Sequence, residues 1–132
     1  MKPLVYVVGP YSASTPEGIR RNIEHAQKWA AAINKTGLAY AVCPHSLSDG
    51  IATSLDERGW LRFTRDLSLR CDALAMIPGW RLSDGSRGEV AANVARVPLW
   101  DANFSTLDDV PDGVQYLIDR IERASLTPRM KP

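Results

Sequence analysis

Apolar residues follow two rhythms along the chain. Leu4 to Val8 is an unbroken apolar and β-branched run, the pattern of a strand buried on both faces. Gly9-Pro10-Tyr11-Ser12 then turns the chain. Ser14 to Glu17 reads as a capping box with Pro16 in the first turn, and Ile19, Ile23, Ala26, Ala30 and Ile33 follow at helical spacing. Asn34 to Gly37 ends that helix. Ala39 to Cys43 predicts a second strand, closed by Pro44-His45, and Ser46 to Thr53 a loop. A second helix is expected from Ser54, with Ser54 and Glu57 as its capping box and Trp60, Phe63, Thr64, Leu67 and Cys71 as its stripe.

The middle of the chain organises the rest. Ala73 to Ile77 is a short apolar run, and Ser83-Asp84-Gly85-Ser86-Arg87-Gly88 a loop rich in glycine and serine. Glu89 then opens a third helix marked by Val90, Ala91, Val94 and Ala95. Val97 to Trp100 predicts a fourth strand, Asp101 to Asp112 a polar connection, and Gly113 to Ala124 a last helix with Val114, Leu117, Ile118 and Ile121 inward. Strands alternating with helices imply right-handed crossovers and a parallel sheet. The expected fold is α/β, a Rossmann-like (flavodoxin-like) three-layer sandwich with a four- to five-stranded parallel sheet. A single domain spans 1–124, and 125–132 form a mobile tail. That strand order sets the first and third strands side by side, so the loops Gly9 to Ser14 and Pro78 to Gly88 share one crevice.

Composition narrows the function. At 45% hydrophobic and 132 residues the chain suits one globular domain. A net charge of +1 gives no argument for nucleic acid or an anionic membrane, and no apolar run approaches the ~20 residues of a membrane span. The N-terminus runs straight into a strand and does not read as a signal peptide. Cys43 and Cys71 stand far apart, outside any CxxC, and read as reduced thiols of a cytoplasmic protein. With His25 and His45 the only histidines, a metal site has little support.

Glu89 is the leading candidate for chemistry. A carboxylate in a helix's first turn is stabilised by the helix dipole, which also favours its ionised form. An ionised Glu is the group required for attack on a sugar's anomeric carbon. Ser86 to Glu89 is also a capping box, which needs no ligand. The preceding loop, with Ser83, Gly85 and Ser86, can approach a ligand closely or bind phosphate, or be an ordinary surface loop. Asp66 lies four residues from Arg62 and from Arg70, as in exposed ion pairs; its functional role would be donating a proton to a leaving base. Tyr11 can orient Glu89 across the crevice or simply pack. Gly9 and Ser12 belong to the same first turn, where Ser12 either caps the helix or binds phosphate; His45 ends the second strand and either reaches a ligand or is a surface residue; Trp80 either stacks on a base or packs within its loop.

Together these pieces resemble the nucleoside 2-deoxyribosyltransferase family. They are Gly9-Pro10-Tyr11-Ser12 after the first strand, Asp66 ahead of Cys71-Asp72, and Ser83-Asp84-Gly85 followed by Glu89. The nearest likeness is to its small deoxyribosyltransferase-like and deoxynucleoside-monophosphate N-glycosidase branches, some of them phage-borne, and it runs from about Leu4 to Leu99. The resemblance implies cleavage of an N-glycosidic bond, with Glu89 as nucleophile, Tyr11 positioning it, Asp66 assisting the base and Ser83 contacting sugar or phosphate. It implies a homodimer or larger assembly and no cofactor or metal. The first loop departs from the pattern in lacking the arginine of the monophosphate hydrolases, for which Arg81 or Arg87 are the available substitutes.

The reading that follows is a cytoplasmic enzyme acting on a small-molecule nucleoside or nucleotide, by hydrolysis or by transfer of the sugar to another base. The alternative is a nucleotide-binding sensor using the same loops without catalysis. A phosphoryl-handling enzyme would want an acid cluster at the strand ends, and only Asp84 and Asp101 stand there, scattered.

Overall fold

The computed structural model describes residues 1–48, 54–102 and 110–124. Four strands, β1 (Leu4–Val8), β2 (Tyr40–Val42), β3 (Ala73–Met76) and β4 (Leu99–Asp101), alternate with four helices, α1 (Pro16–Lys35), α2 (Glu57–Ser68), α3 (Asp84–Asn93) and α4 (Val110–Ala124). The strands form one parallel sheet in the order β2-β1-β3-β4. The fold is therefore α/β with flavodoxin-like strand order, as the alternation predicts. Val8 pairs with Met76, so β1 and β3 end side by side.

The alternation of side chains along each strand divides the core in two. Val5 and Val7 of β1, with Ala73 and Ala75 of β3, pack against Trp29, Ile33, Leu117 and Ile121 of α1 and α4. Tyr6, Val8, Leu74 and Met76 point to the other face, where Leu67 and Val90 of α2 and α3 cover them. One consequence concerns Tyr6. A phenol on the α2–α3 side of a central strand must find polar company within the core.

Helix starts differ from the sequence expectation, and for local reasons. In α1 the cap is Thr15, not Ser14: its Oγ1 accepts from the Gly18 amide at 3.0 Å, because Pro16 takes the first helical position. In α2 it is Asp56, whose Oδ1 accepts from the Gly59 amide at 2.7 Å, rather than the Ser54–Glu57 box. In α3 it is Ser83, whose Oγ accepts from the Ser86 amide at 3.2 Å. The helix thus begins at Asp84, and the stretch expected to be a loop is its first turn. Glu89 consequently lies in the second turn, beyond the range of a cap. The last helix begins at Val110 with Pro111 in its first turn.

Expectations for Asp49 to Thr53, Asn103 to Asp109 and Ser125 to Pro132 fall outside the described residues, as do those for the side chains of Val114 and Ile118.

Candidate active site

At the carboxyl ends of β1 and β3 lies a cavity of about 290 Å³. Gly9, Tyr11 and Ser12 line it from the β1 loop, Pro44 and His45 from the end of β2, and Ser83, Gly85, Ser86 and Glu89 from α3. The two crevice loops expected from the strand order do share it. The fourth wall is the amino-terminal half of α2, with Leu55, Asp56, Glu57, Trp60, Leu61 and Thr64.

Ser86 anchors α3 to the sheet. Its hydroxyl donates to the Gly9 carbonyl at 3.0 Å, a buried bond across 77 positions of sequence. Gly9 serves packing rather than ligand approach, since a Cβ there would stand 2.6 Å from Ile77 Cγ1. At Gly85, where α2 and α3 meet, a Cβ would stand 3.1 Å from Leu61 Cδ2, close enough that Leu61 would have to shift. Two turns beyond Ser86, Asn93 ties α3 down again. Fully buried, it donates from Nδ2 to Ser68 Oγ at 3.0 Å and to the Glu89 carbonyl at 2.8 Å. Arg96 extends the network by donating to Asn93 Oδ1 and to the carbonyls of Ser68 and Cys71.

Between these anchors sits Glu89, 9% exposed on the cavity wall. Its Oε2 is buried with no hydrogen-bond partner among the described residues, and so is the hydroxyl of Tyr6. The two groups nevertheless act on each other. Burial pushes the Glu89 carboxyl up to about 7, and the Tyr6 hydroxyl pulls it partly back down. Burial and the Glu89 charge together hold the Tyr6 phenol far above its ordinary range, so it stays protonated. Thr64 also faces Tyr6 and eases that shift. The dipole expected to keep Glu89 ionised is outweighed: the residue is past the first turn, where the dipole acts, and desolvation dominates. A carboxyl with a pKa near neutrality is suited to acid–base or nucleophilic work.

His45 is buried, its Nε2 3.0 Å from the Pro10 carbonyl. A carbonyl can only accept, so Nε2 carries the proton and Nδ1 is left to face Cys43 Sγ at 4.0 Å. Burial lowers the His45 pKa, favouring this neutral form. The Tyr11 ring stands between His45 and Trp60, its centroid 6.1 Å and 6.3 Å from theirs. These three rings form an aromatic wall to the cavity.

Two expected site residues are not brought to the cavity. Asp66 is exposed on α2, off the helix face formed by Trp60, Leu61 and Thr64. Trp80 is buried in the sheet core, where its Nε1 donates to Asp101 Oδ1 at 3.1 Å, so its ring is not offered for stacking. Tyr11 does line the cavity, but the hydroxyl acting on Glu89 is that of Tyr6. Arg81 pairs with Asp101 at 3.0 Å and Arg87 with Asp84, and neither lines the cavity. Among the described residues, no three His, Cys, Asp or Glu side chains are grouped to hold a metal ion. No described helix is long and apolar enough to cross a membrane.

Sequence reasoning missed Tyr6 and the α2 wall. Tyr6 was legible in principle, as the one polar-tipped residue within an otherwise aliphatic strand. Trp60 and Thr64 were assigned to an apolar stripe; the strand ends, not the periodicity, turn part of that stripe toward a cavity. Comparisons with protein-family models and with curated proteins find no match for the chain.

Proposed function

We propose that this protein cleaves the N-glycosidic bond of a nucleoside or deoxynucleoside, with Glu89 as nucleophile. The observation that carries the reading is the placement of Glu89: a buried carboxyl on a cavity wall, one oxygen unpartnered, beside a phenol held protonated. A cavity of about 290 Å³ is of the size that small ligands occupy. The ring wall of Tyr11, Trp60 and His45 supports stacking with a base, and the hydroxyls of Ser12 and Ser83 supply partners for a sugar.

In this reading a carboxylate oxygen of Glu89 attacks C1′ as the bond from C1′ to the base nitrogen breaks, and the base leaves with the electron pair and takes up one proton from solvent. The sugar becomes an ester of Glu89. Water, or a second base in a transfer reaction, then attacks C1′ and frees the carboxylate, with net retention of configuration. Tyr6 acts through Glu89, steadying its charged form, and is a positioning residue.

The resemblance to the nucleoside 2-deoxyribosyltransferase family supports this assignment and its homodimeric arrangement. Leu55 and Leu61, exposed at the cavity rim, are the surface a second copy would cover in closing the site. No lysine or arginine lines the cavity among the described residues, which favours an unphosphorylated sugar over a 5′-monophosphate.

The test is chromatography of nucleosides and their monophosphates after incubation with wild type and Glu89→Ala, with and without a second free base. Free base released by the wild type alone supports the reading. Tight binding with no base released identifies a sensor instead, and equal turnover by both proteins removes Glu89 from the mechanism.

A further inference from the structure

The cavity concentrates negative charge and aromatic surface, and its described lining presents no ready proton donor for a departing base. Asp56, Glu57 and Glu89 bring three carboxyls to its wall, while no lysine or arginine lines it among the described residues. Glu89 Oε2 is buried there, and no cation of the described lining offsets these carboxyls. The rings of Tyr11 and Trp60 stand in the same wall, and aromatic rings attract cations.

Breaking the bond to a neutral base leaves negative charge on its nitrogen, which a general acid must quench. Asp66, the residue expected to do so, is exposed and outside the cavity. His45 is no substitute, because its Nε2 proton is held by the Pro10 carbonyl. Asp56 is engaged as the acceptor capping α2, and Glu57, next to it in the helix's first turn, is exposed to water rather than enclosed with a bound base. Ser12, Thr64 and Ser83 offer hydroxyls, which are weak acids.

We propose that the site takes N-glycosides whose base already carries a positive charge, such as pyridinium or N7-alkylpurinium nucleosides. This rests on the bond-cleavage reading above and specifies its substrate. The chemistry then needs no donor. Glu89 forms a bond to C1′, and the electron pair of the broken C1′–N bond neutralises the ring, which departs as an uncharged base. Water attacks C1′ of the ester, the bond to Glu89 breaks, and one proton passes to solvent. Substrate cation and water thus give neutral base, free sugar and a proton. Before cleavage the carboxyls and ring faces hold the cation; afterwards the attraction is gone and the base is released.

The experiment measures base release by wild-type protein at pH 8 from the ribosides and 2′-deoxyribosides of nicotinamide and 7-methyladenine, against those of adenine and cytosine. Each kcat/KM is divided by the uncatalysed rate, because cationic glycosides are intrinsically more labile. The proposal expects the normalised value to be higher for the cationic substrates by about tenfold or more, and the gap to narrow in Glu57→Gln. Equal or better normalised cleavage of the neutral nucleosides overturns the charge preference while leaving bond cleavage standing. No release from any substrate overturns both.

Discussion

The phenol of Tyr6 and the carboxyl of Glu89, the latter on the cavity wall, are both buried and shift each other's titration. One comes from the middle of β1 and the other from the second turn of α3. The parallel pairing of β1 with β3 and the Ser86–Gly9 bond bring them together. Glu89 is thereby the buried acidic residue among those described, and it yields predictions independent of any substrate.

The first concerns stability. Folding raises the Glu89 carboxyl from an ordinary 4.5 to about 7, so the folded state favours the protonated form. That contribution is complete below the unfolded value and is lost as pH rises through about 7. At ~1.4 kcal/mol per pH unit, the difference amounts to roughly 3 kcal/mol. Glu89→Gln, which mimics the protonated acid, should therefore raise the melting temperature clearly at pH 8 and little at pH 4. Thermal unfolding at the two pH values decides it; equal shifts would mean that Glu89 is not desolvated.

Tyr6→Phe removes the hydroxyl that lowers the Glu89 pKa. The acid limb of the pH–rate profile should move to higher pH, by up to about one unit. Because the hydroxyl steadies the charged form of Glu89, stability should fall more at pH 8, where that form prevails, than at pH 5. A lower rate with an unmoved profile would assign Tyr6 a purely structural role.

Two glycines should respond in opposite directions. Gly9→Ala forces a Cβ to within 2.6 Å of Ile77 and should cost about 1–3 kcal/mol. Gly88, exposed within α3, meets nothing within 4 Å, and Gly88→Ala should stabilise by about 0.5–1 kcal/mol. Denaturant melts of both variants test the path of α3 over the sheet.

Asp66→Asn should leave turnover within about twofold of wild type, because surface substitutions away from a site are usually small in effect. Steady-state kinetics check this. A large loss of kcat would return Asp66 to the chemistry and contradict the placement of α2.

The sheet was legible because strand and helix periods alternate cleanly and β1 and β3 are short apolar runs. The alternation implied a parallel sheet, and the flavodoxin-like order expected for it, which the sheet adopts, sets the two loops at one crevice. The start of α3 was not legible: glycine and serine favour loops, yet Ser83 caps and Gly85 lets α2 approach, so the segment is helical. Misplacing that start reversed the argument about Glu89, since burial rather than the dipole governs its titration. Trp80 misled for a related reason. Its partner Asp101 is 21 residues away in sequence, and only the sheet brings them together. The α2 wall depends on helix rotation, which a stripe containing both Trp60 and Phe63 leaves open by a fraction of a turn.

The most direct test of Glu89 as nucleophile is mass spectrometry of the protein after reaction with a nucleoside bearing 2′-fluorine in the arabino configuration, which slows breakdown of the sugar ester. The account predicts one fluorinated sugar on the peptide carrying Glu89, and none on Glu89→Gln. The sugar on a different residue, or undiminished base release by Glu89→Gln, would contradict it.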